Sequence, residues 1–175
     1  MELKGQDILV ALKFAVSPTQ LSYAELGKAL GLSASQAFSA VQRATSAGLL
    51  VGTPKRANTE AVLEFLVHGV KYAFPAVRGP SKRGMATAHS AEPLRSEIRG
   101  DDSPLVWSDA EGDSRGETLR PVYKSVPFAA RQDVRLYRAL ALVDAIRAGR
   151  ARERELAVRL LGEMLRNGTQ ERPES

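Results

Sequence analysis

The chain contains no cysteine. Disulfides, thiolate metal sites and cysteine nucleophiles are therefore excluded, and a reducing cytoplasm is the natural compartment. Histidine is nearly absent too. His68 and His89 stand alone, without the His-x-x-x-His or Glu-x-x-His spacing of a metal site. Aromatics make up 6% of the 175 residues, with a single tryptophan, Trp107. A residue that large is naturally used as a core or interface anchor. No apolar run approaches the ~18 residues of a membrane span, and Met1-Glu2-Leu3-Lys4 lacks the order of a signal peptide. Ser81, Ser90 and Ser125 sit in no G-x-S-x-G elbow. The glycines form no phosphate-binding P-loop, and no cofactor is expected. With no catalytic constellation, the expectation is a protein that is not an enzyme.

What is present is a helix-turn-helix pattern in Leu21 to Leu50, LSYAELGKALGLSASQAFSAVQRATSAGLL. Ser22 is a good N-cap for a helix whose inward stripe is Leu26, Ala29 and Leu30. Gly31 can take positive φ and close it. Ser33 and Gln36 then form an S-x-x-Q capping box for a second helix. Ala37, Phe38, Val41 and Ala44 recur at helical spacing and should face the core. The outer side is left with Ser33, Ser35, Gln36, Ser39, Gln42 and Arg43. Such side chains can read base edges or hold phosphates, so Gln36 and Arg43 are expected to discriminate bases. Gly52 to Asn58 follows as a turn-rich basic tip, where Lys55 and Arg56 could grip phosphate.

From about Gln6 to Asn58 the chain resembles the winged helix-turn-helix domains of bacterial regulators of the MarR-like and IclR-like sort. The resemblance rests on the helix Gln6 to Val16, the helix-turn-helix and the basic turn, about a third of the chain. It implies a transcription regulator that binds double-stranded DNA. The remainder departs from both groups, with no long N-terminal dimer helix and no recognisable effector domain. The segments HGVKYAFPAVRG, TAHSAEPL, VYKSVP and LVDAIRAGRARERELA are similar to uncharacterised bacterial regulators beside toxin or phage-defence genes. That likeness transfers no functional residues.

Charge agrees with a nucleic-acid partner, at net +5 and pI 9.7. Only residues 101–125 are net acidic. Asp101, Asp102, Asp109, Glu111 and Asp113 cluster there without EF-hand spacing. A solvated loop, or one paired with the protein's own basic surface, is expected. After the basic tip, Asn58 or Thr59 caps a helix from Glu60 to His68. Val70 to Phe74 reads as a strand or as a continuation of that helix. From Pro75 to Pro127 the chain is rich in Gly, Pro, Ser and charge, too long for an ordinary loop. Short elements are expected at Leu105 to Trp107 and Leu119 to Tyr123. Arg78, Lys82 and Arg83 lie in a turn-rich stretch that reads as a DNA-seeking arm or a solvated loop. Helices are expected from Ala129 or Asp133 to Ala148 and from Ala151 to Arg166. Asn167-Gly168 should end the last, and the tail from Thr169 should fray.

The expected fold is mainly α with a small β wing (α+β). A winged helix-turn-helix (1–74) precedes an irregular segment (75–128), a C-terminal helical pair (129–168) and a tail (169–175). The apolar stripes of that pair suit packing on the chain's own head or a homodimer interface. A homodimer would match a palindromic operator. Two function classes stay open. One is a repressor. The other is an antitoxin or interaction module that masks a partner protein encoded nearby. An ordered surface between Pro75 and Pro127 would suit protein capture, and a mobile basic arm would suit DNA.

Overall fold

The computed structural model describes residues 2–17, 20–99 and 103–170. Helices dominate and two small sheets accompany them, an α+β arrangement. Asp101 and Asp102 lie outside the described residues, as do residues 171–175 of the tail.

The N-terminal part follows its local signals. Helix α1 spans Gly5–Val16, where Asp7 at the third position accepts the Lys4 backbone N–H at 2.8 Å. Helix α2 (Tyr23–Leu30) has a reciprocal cap. The Ser22 hydroxyl accepts from Glu25 N, and the Glu25 carboxylate accepts from Ser22 N. Gly31 ends it at φ 71°. A Cβ there would also press on Phe128 and Ser125, each at 3.0 Å, so glycine is required twice over. Ser33 and Gln36 cap α3 (Ala34–Ser46) in the same reciprocal way. Ala37, Ala40, Val41 and Ala44 are its buried stripe. Strands β1 (Leu50–Val51) and β2 (Arg56–Ala57) pair antiparallel as a short hairpin. Asn58 caps α4 (Thr59–His68). The next turn is helical, α5 (Val70–Ala73), which settles the strand-or-helix alternative.

The middle segment is not irregular. It holds β3 (Arg78–Ala86), a 3-10 turn (Ala88–Ser90), α6 (Leu94–Glu97), β4 (Leu105–Ser108) and β5 (Ser114–Leu119). The short element expected at Leu119 to Tyr123 lies earlier, as strand β5 at Ser114–Leu119. Each strand of this sheet pairs with both others, β3 antiparallel to β4 and β5, and β4 parallel to β5. Closing three strands on one another brings backbones very near. A Cβ on Gly84 would sit 2.0 Å from the Trp107 carbonyl oxygen, and one on Gly116 2.3 Å from that of Pro104. A register shift between Gly79 and Ser81 accommodates Pro80, which has no N–H for the ladder. Gly and Pro, read as loop residues in the sequence, are here the conditions for a tightly closed sheet.

The C-terminal helices are α7 (Val126–Gln132), α8 (Val134–Ala148) and α9 (Ala151–Gln170). Residues 139–147 of α8 are all buried. It is the central helix of one core that runs from Ile8 through Leu50, Leu66 and Trp107 to Leu165. Most of the apolar stripe of α8, with Ala157, Leu161 and Leu165 of α9, is buried in this core, whereas Leu156, Val158 and Leu160 are partly buried and Val134 is 60% exposed. A chain cut after Pro127 would lose this central helix. Helix α9 does not stop at Asn167-Gly168. Gly168 is buried, and a Cβ there would stand 2.7 Å from the Ala15 carbonyl oxygen, so this glycine serves close helix approach.

A buried ion pair, Asp144 and Arg147, sits on the central helix. The Asp144 carboxylate accepts from Thr87 Oγ1 (2.7 Å), Trp107 Nε1 (2.6 Å) and Arg147 Nη1 (2.7 Å). Arg147 also donates to the backbone carbonyls of Phe74, Pro75 and Arg120. Removing one partner of a buried pair strands the other. Asp144→Ala should cost about 3–5 kcal/mol in urea unfolding. Asp144→Leu with Arg147→Met should cost less than the sum of the single changes. Strict additivity would show that the pair is not coupled.

Asp133 caps α8 and takes Lys13 Nζ at 2.7 Å. Burial alone would raise its carboxyl, but hydrogen bonds from Lys13, Leu136 N–H and Ser17, with the Lys13 charge, outweigh it and hold the group below the usual carboxylate range. A depressed folded value contributes stability above the unfolded value, about 3.9, and loses it as pH falls through the folded one. Asp133→Asn keeps a capping oxygen and removes the charge. It should cost about 1–2 kcal/mol at neutral pH, and the gap to the parent protein should narrow in acid unfolding as pH falls below the unfolded carboxyl's value and through the depressed folded one.

Candidate nucleic-acid interface

Helix α3 presents a polar face. Ser33, Ser35, Gln36 and Gln42 are exposed and Ser39 is half-buried. On a 3.6-residue period, Ser35, Ser39, Gln42 and Ser46 lie opposite the buried stripe. Alanines on that stripe let α3 sit close to α1 and α2, so the opposite face is held outward on a rigid base. Two of the outer residues have local duties. The Ser33 hydroxyl accepts from Gln36 N at 3.0 Å, and Gln36 Oε1 accepts from Ser33 N at 2.9 Å. The Gln36 amide nitrogen still points to no partner among the described residues, whereas its oxygen is used in the cap.

Arg43 is not presented as a base reader. Its Nε donates to both oxygens of Asp7, at 3.0 and 2.9 Å, and its Nη2 to Gln6 Oε1 at 3.1 Å. Asp7 is fully buried. The guanidinium neutralises a buried carboxylate and bolts α3 to α1. One position on from Gln42, the helical rotation carries Arg43 off the outer face, where Asp7 is in reach.

Phe38 is the opposite correction. It is 48% exposed and meets Tyr23, 40% exposed, edge to face at 5.2 Å. Ala40 fills the core place the sequence reading gave to Phe38. The spacing of Ala37, Ala40, Val41 and Ala44 is the signal that would have shown it.

The basic tip lies in the hairpin after α3. Lys55 is half-buried and Arg56 exposed. The Arg56 guanidinium lies over Gly52, which has φ 82° and room that a Cβ would close. Arg78, Lys82 and Arg83 are not on a flexible arm. All three belong to β3, in the closed sheet. Arg78 Nη1 pairs with Glu117 at 3.3 Å and its Nη2 donates to Ala148 O at 3.2 Å. Arg83 Nε donates to Gly112 O at 2.6 Å. Lys82 is exposed mid-strand. The structure thus gathers Ser35, Ser39 and Gln42 on one helix face, with the Lys55–Arg56 hairpin next in the chain. It assigns the three β3 cations to a different element.

The acidic stretch turns to the protein's own basic surface, since Asp109 and Glu111 pair with Arg131 of α7. Among the described residues no group of His, Cys, Asp or Glu could hold a metal ion. No helix among them is long and apolar enough to cross a membrane. Compared with known proteins, the chain matches no family model, no curated protein and no solved structure.

Arg43→Ala should act through the fold. Leaving Asp7 buried and unpaired should cost about 3–5 kcal/mol in thermal or urea unfolding. An Arg43→Ala protein as stable as the parent would return Arg43 to the outer face.

Proposed function

We propose that the chain is a sequence-specific DNA-binding transcription regulator, a repressor acting by occlusion, with a winged helix-turn-helix head. The observation that carries this reading is the outer face of α3. It is polar and carboxylate-free from Ser33 to Ser46, on a helix capped at its N-terminus and followed by a basic hairpin. In this reading α3 enters the major groove, Ser35, Ser39 and Gln42 face base edges, and Lys55 and Arg56 meet flanking phosphates. Phe38, flanking that face, can meet a thymine methyl. Two copies on a palindromic operator complete the proposal. Leu156, Val158 and Leu160 of α9, partly buried, with the exposed Val134, are the apolar C-terminal surface left for that pairing.

The ordered sheet between Pro75 and Pro127 favours a second reading beside the first. A built surface there suits a partner protein, as in an antitoxin that represses its own promoter. Co-expression with the product of a neighbouring gene, followed by size-exclusion chromatography, tests it. Elution of the two chains apart counts against it.

The main test is a mobility-shift titration on DNA upstream of the chain's own gene at several salt concentrations. Gln42→Ala should weaken specific binding by about 1–3 kcal/mol and relax preference at one base position. Lys55→Ala with Arg56→Ala should weaken all sequences and flatten the log–log salt slope by about one to two units. Equal losses for Gln42→Ala on specific and random DNA would show that α3 does not read bases.

A further inference from the structure

The closed sheet and the turns after β3 enclose a cleft of about 650 Å³. Three arginines line it: Arg95 in α6, Arg99 just beyond, and Arg115 in β5. They come from two separate stretches, so only the fold brings them together. Among the described residues no carboxylate lines the cleft. Among the described residues none of the three arginines forms an ion pair with one. Glu92 accepts from Ser96, and Asp113 from Ser114. Arg115 also stands opposite Arg83 in the β3–β5 register. Like charges placed directly across a ladder are destabilising. Arg83 is drawn to the Gly112 carbonyl, which leaves Arg115 to the cleft.

The walls are fixed. Ser90 Oγ accepts from Leu105 N at 2.9 Å, and His89 Nε2 donates to Ser103 O at 3.1 Å. These bonds tie the 3-10 turn to the chain entering β4. Ala86, Ile98 and Pro104 give the cleft an apolar part. No phenylalanine, tyrosine or tryptophan lines it, so recognition falls on the guanidinium groups. Guanidinium forks bind phosphate oxygens bidentately, and three of them match the charge of a phosphate chain better than a single phosphate. The volume falls within the range of small-ligand sites, about 300–1,000 Å³.

We propose that this cleft binds the di- or triphosphate group of a small ligand. The group can come from a nucleotide or from an inorganic phosphate chain, and the guanidiniums would hold it in the same way. The site is separate from α3 and the hairpin and does not depend on the DNA reading.

Isothermal titration calorimetry on the full chain at fixed ionic strength tests it, with sodium tripolyphosphate and ATP as probes and orthophosphate as reference. Single-site binding of either probe is expected, at least about tenfold tighter than orthophosphate. Arg95→Gln with Arg115→Gln should weaken it by about tenfold or more without shifting the melting curve. Arg152→Gln with Arg159→Gln removes the same charge from exposed positions on α9 and should leave it unchanged. ATP and tripolyphosphate binding alike would identify the phosphate chain itself as the ligand; ATP binding more tightly would identify a nucleotide. Three results overturn the proposal. They are heats no larger than orthophosphate gives, equal losses in both double variants, and loss of random duplex DNA binding by the cleft variant with tripolyphosphate binding intact. The last would make the cleft a nucleic-acid surface. Failure of the α3 variants to affect DNA would leave these outcomes untouched.

Discussion

The Asp144–Arg147 pair is the interaction on which the rest of the arrangement depends. Both side chains lie on a helix buried nearly all round, where an unpaired charge is very costly. Burial pushes the Asp144 carboxyl up, while the Arg147 charge and the hydrogen bonds from Thr87, Arg147 and Trp107 pull the other way. Their satisfaction requires four distant parts of the chain at once. Thr87 comes from the end of β3, Trp107 from β4, and the carbonyls from the exit of α5 and the residue after β5. Tyr137 adds a further tie, its hydroxyl donating to the Ala86 carbonyl. A polar, glycine-rich sheet with little apolar surface of its own is thereby anchored to the core.

The same helix layer supports the candidate reading head. Lys13 and Ser17 of the α1 region meet Asp133 at the start of α8. Ser125 donates to the Leu30 carbonyl at the end of α2, and Tyr123 accepts from Gln6. Arg43 and Asp7 lock α3 onto α1. The orientation of α3 is thus set by contacts from the far end of the chain as well as by its own turn. A reading helix needs such a base, because base-edge contacts tolerate little misplacement.

Two polar surfaces result, of different character. The α3 face is uncharged and hydroxyl- and amide-rich, suited to hydrogen-bond discrimination. The sheet cleft is cationic and without aromatic residues, suited to charge recognition. Both are outward products of one buried core, so a ligand in the cleft would sit on the sheet that α8 couples to the head.

Local chemistry was legible in the sequence. The caps at Ser22 and Ser33, the turn at Gly31, the hairpin after Gly48, the Asn58 cap and the long helices on either side of Gly149 follow from nearest-neighbour rules. These need only a few residues of context. What the sequence could not disclose were contacts across long separations. Arg43 looks like an exposed cation until Asp7, 36 residues earlier, is brought beside it. The sheet from Arg78 to Leu119 hides because its glycines and proline answer to partner backbones, not to a period of two. The apolar stripes of α8 and α9 are the same whether they face a second copy or their own chain. Only the tertiary structure decided that residues 139–147 of α8 and Ala157, Leu161 and Leu165 of α9 face inward, because α1, α4, α7 and the turn after β3 pack against these helices.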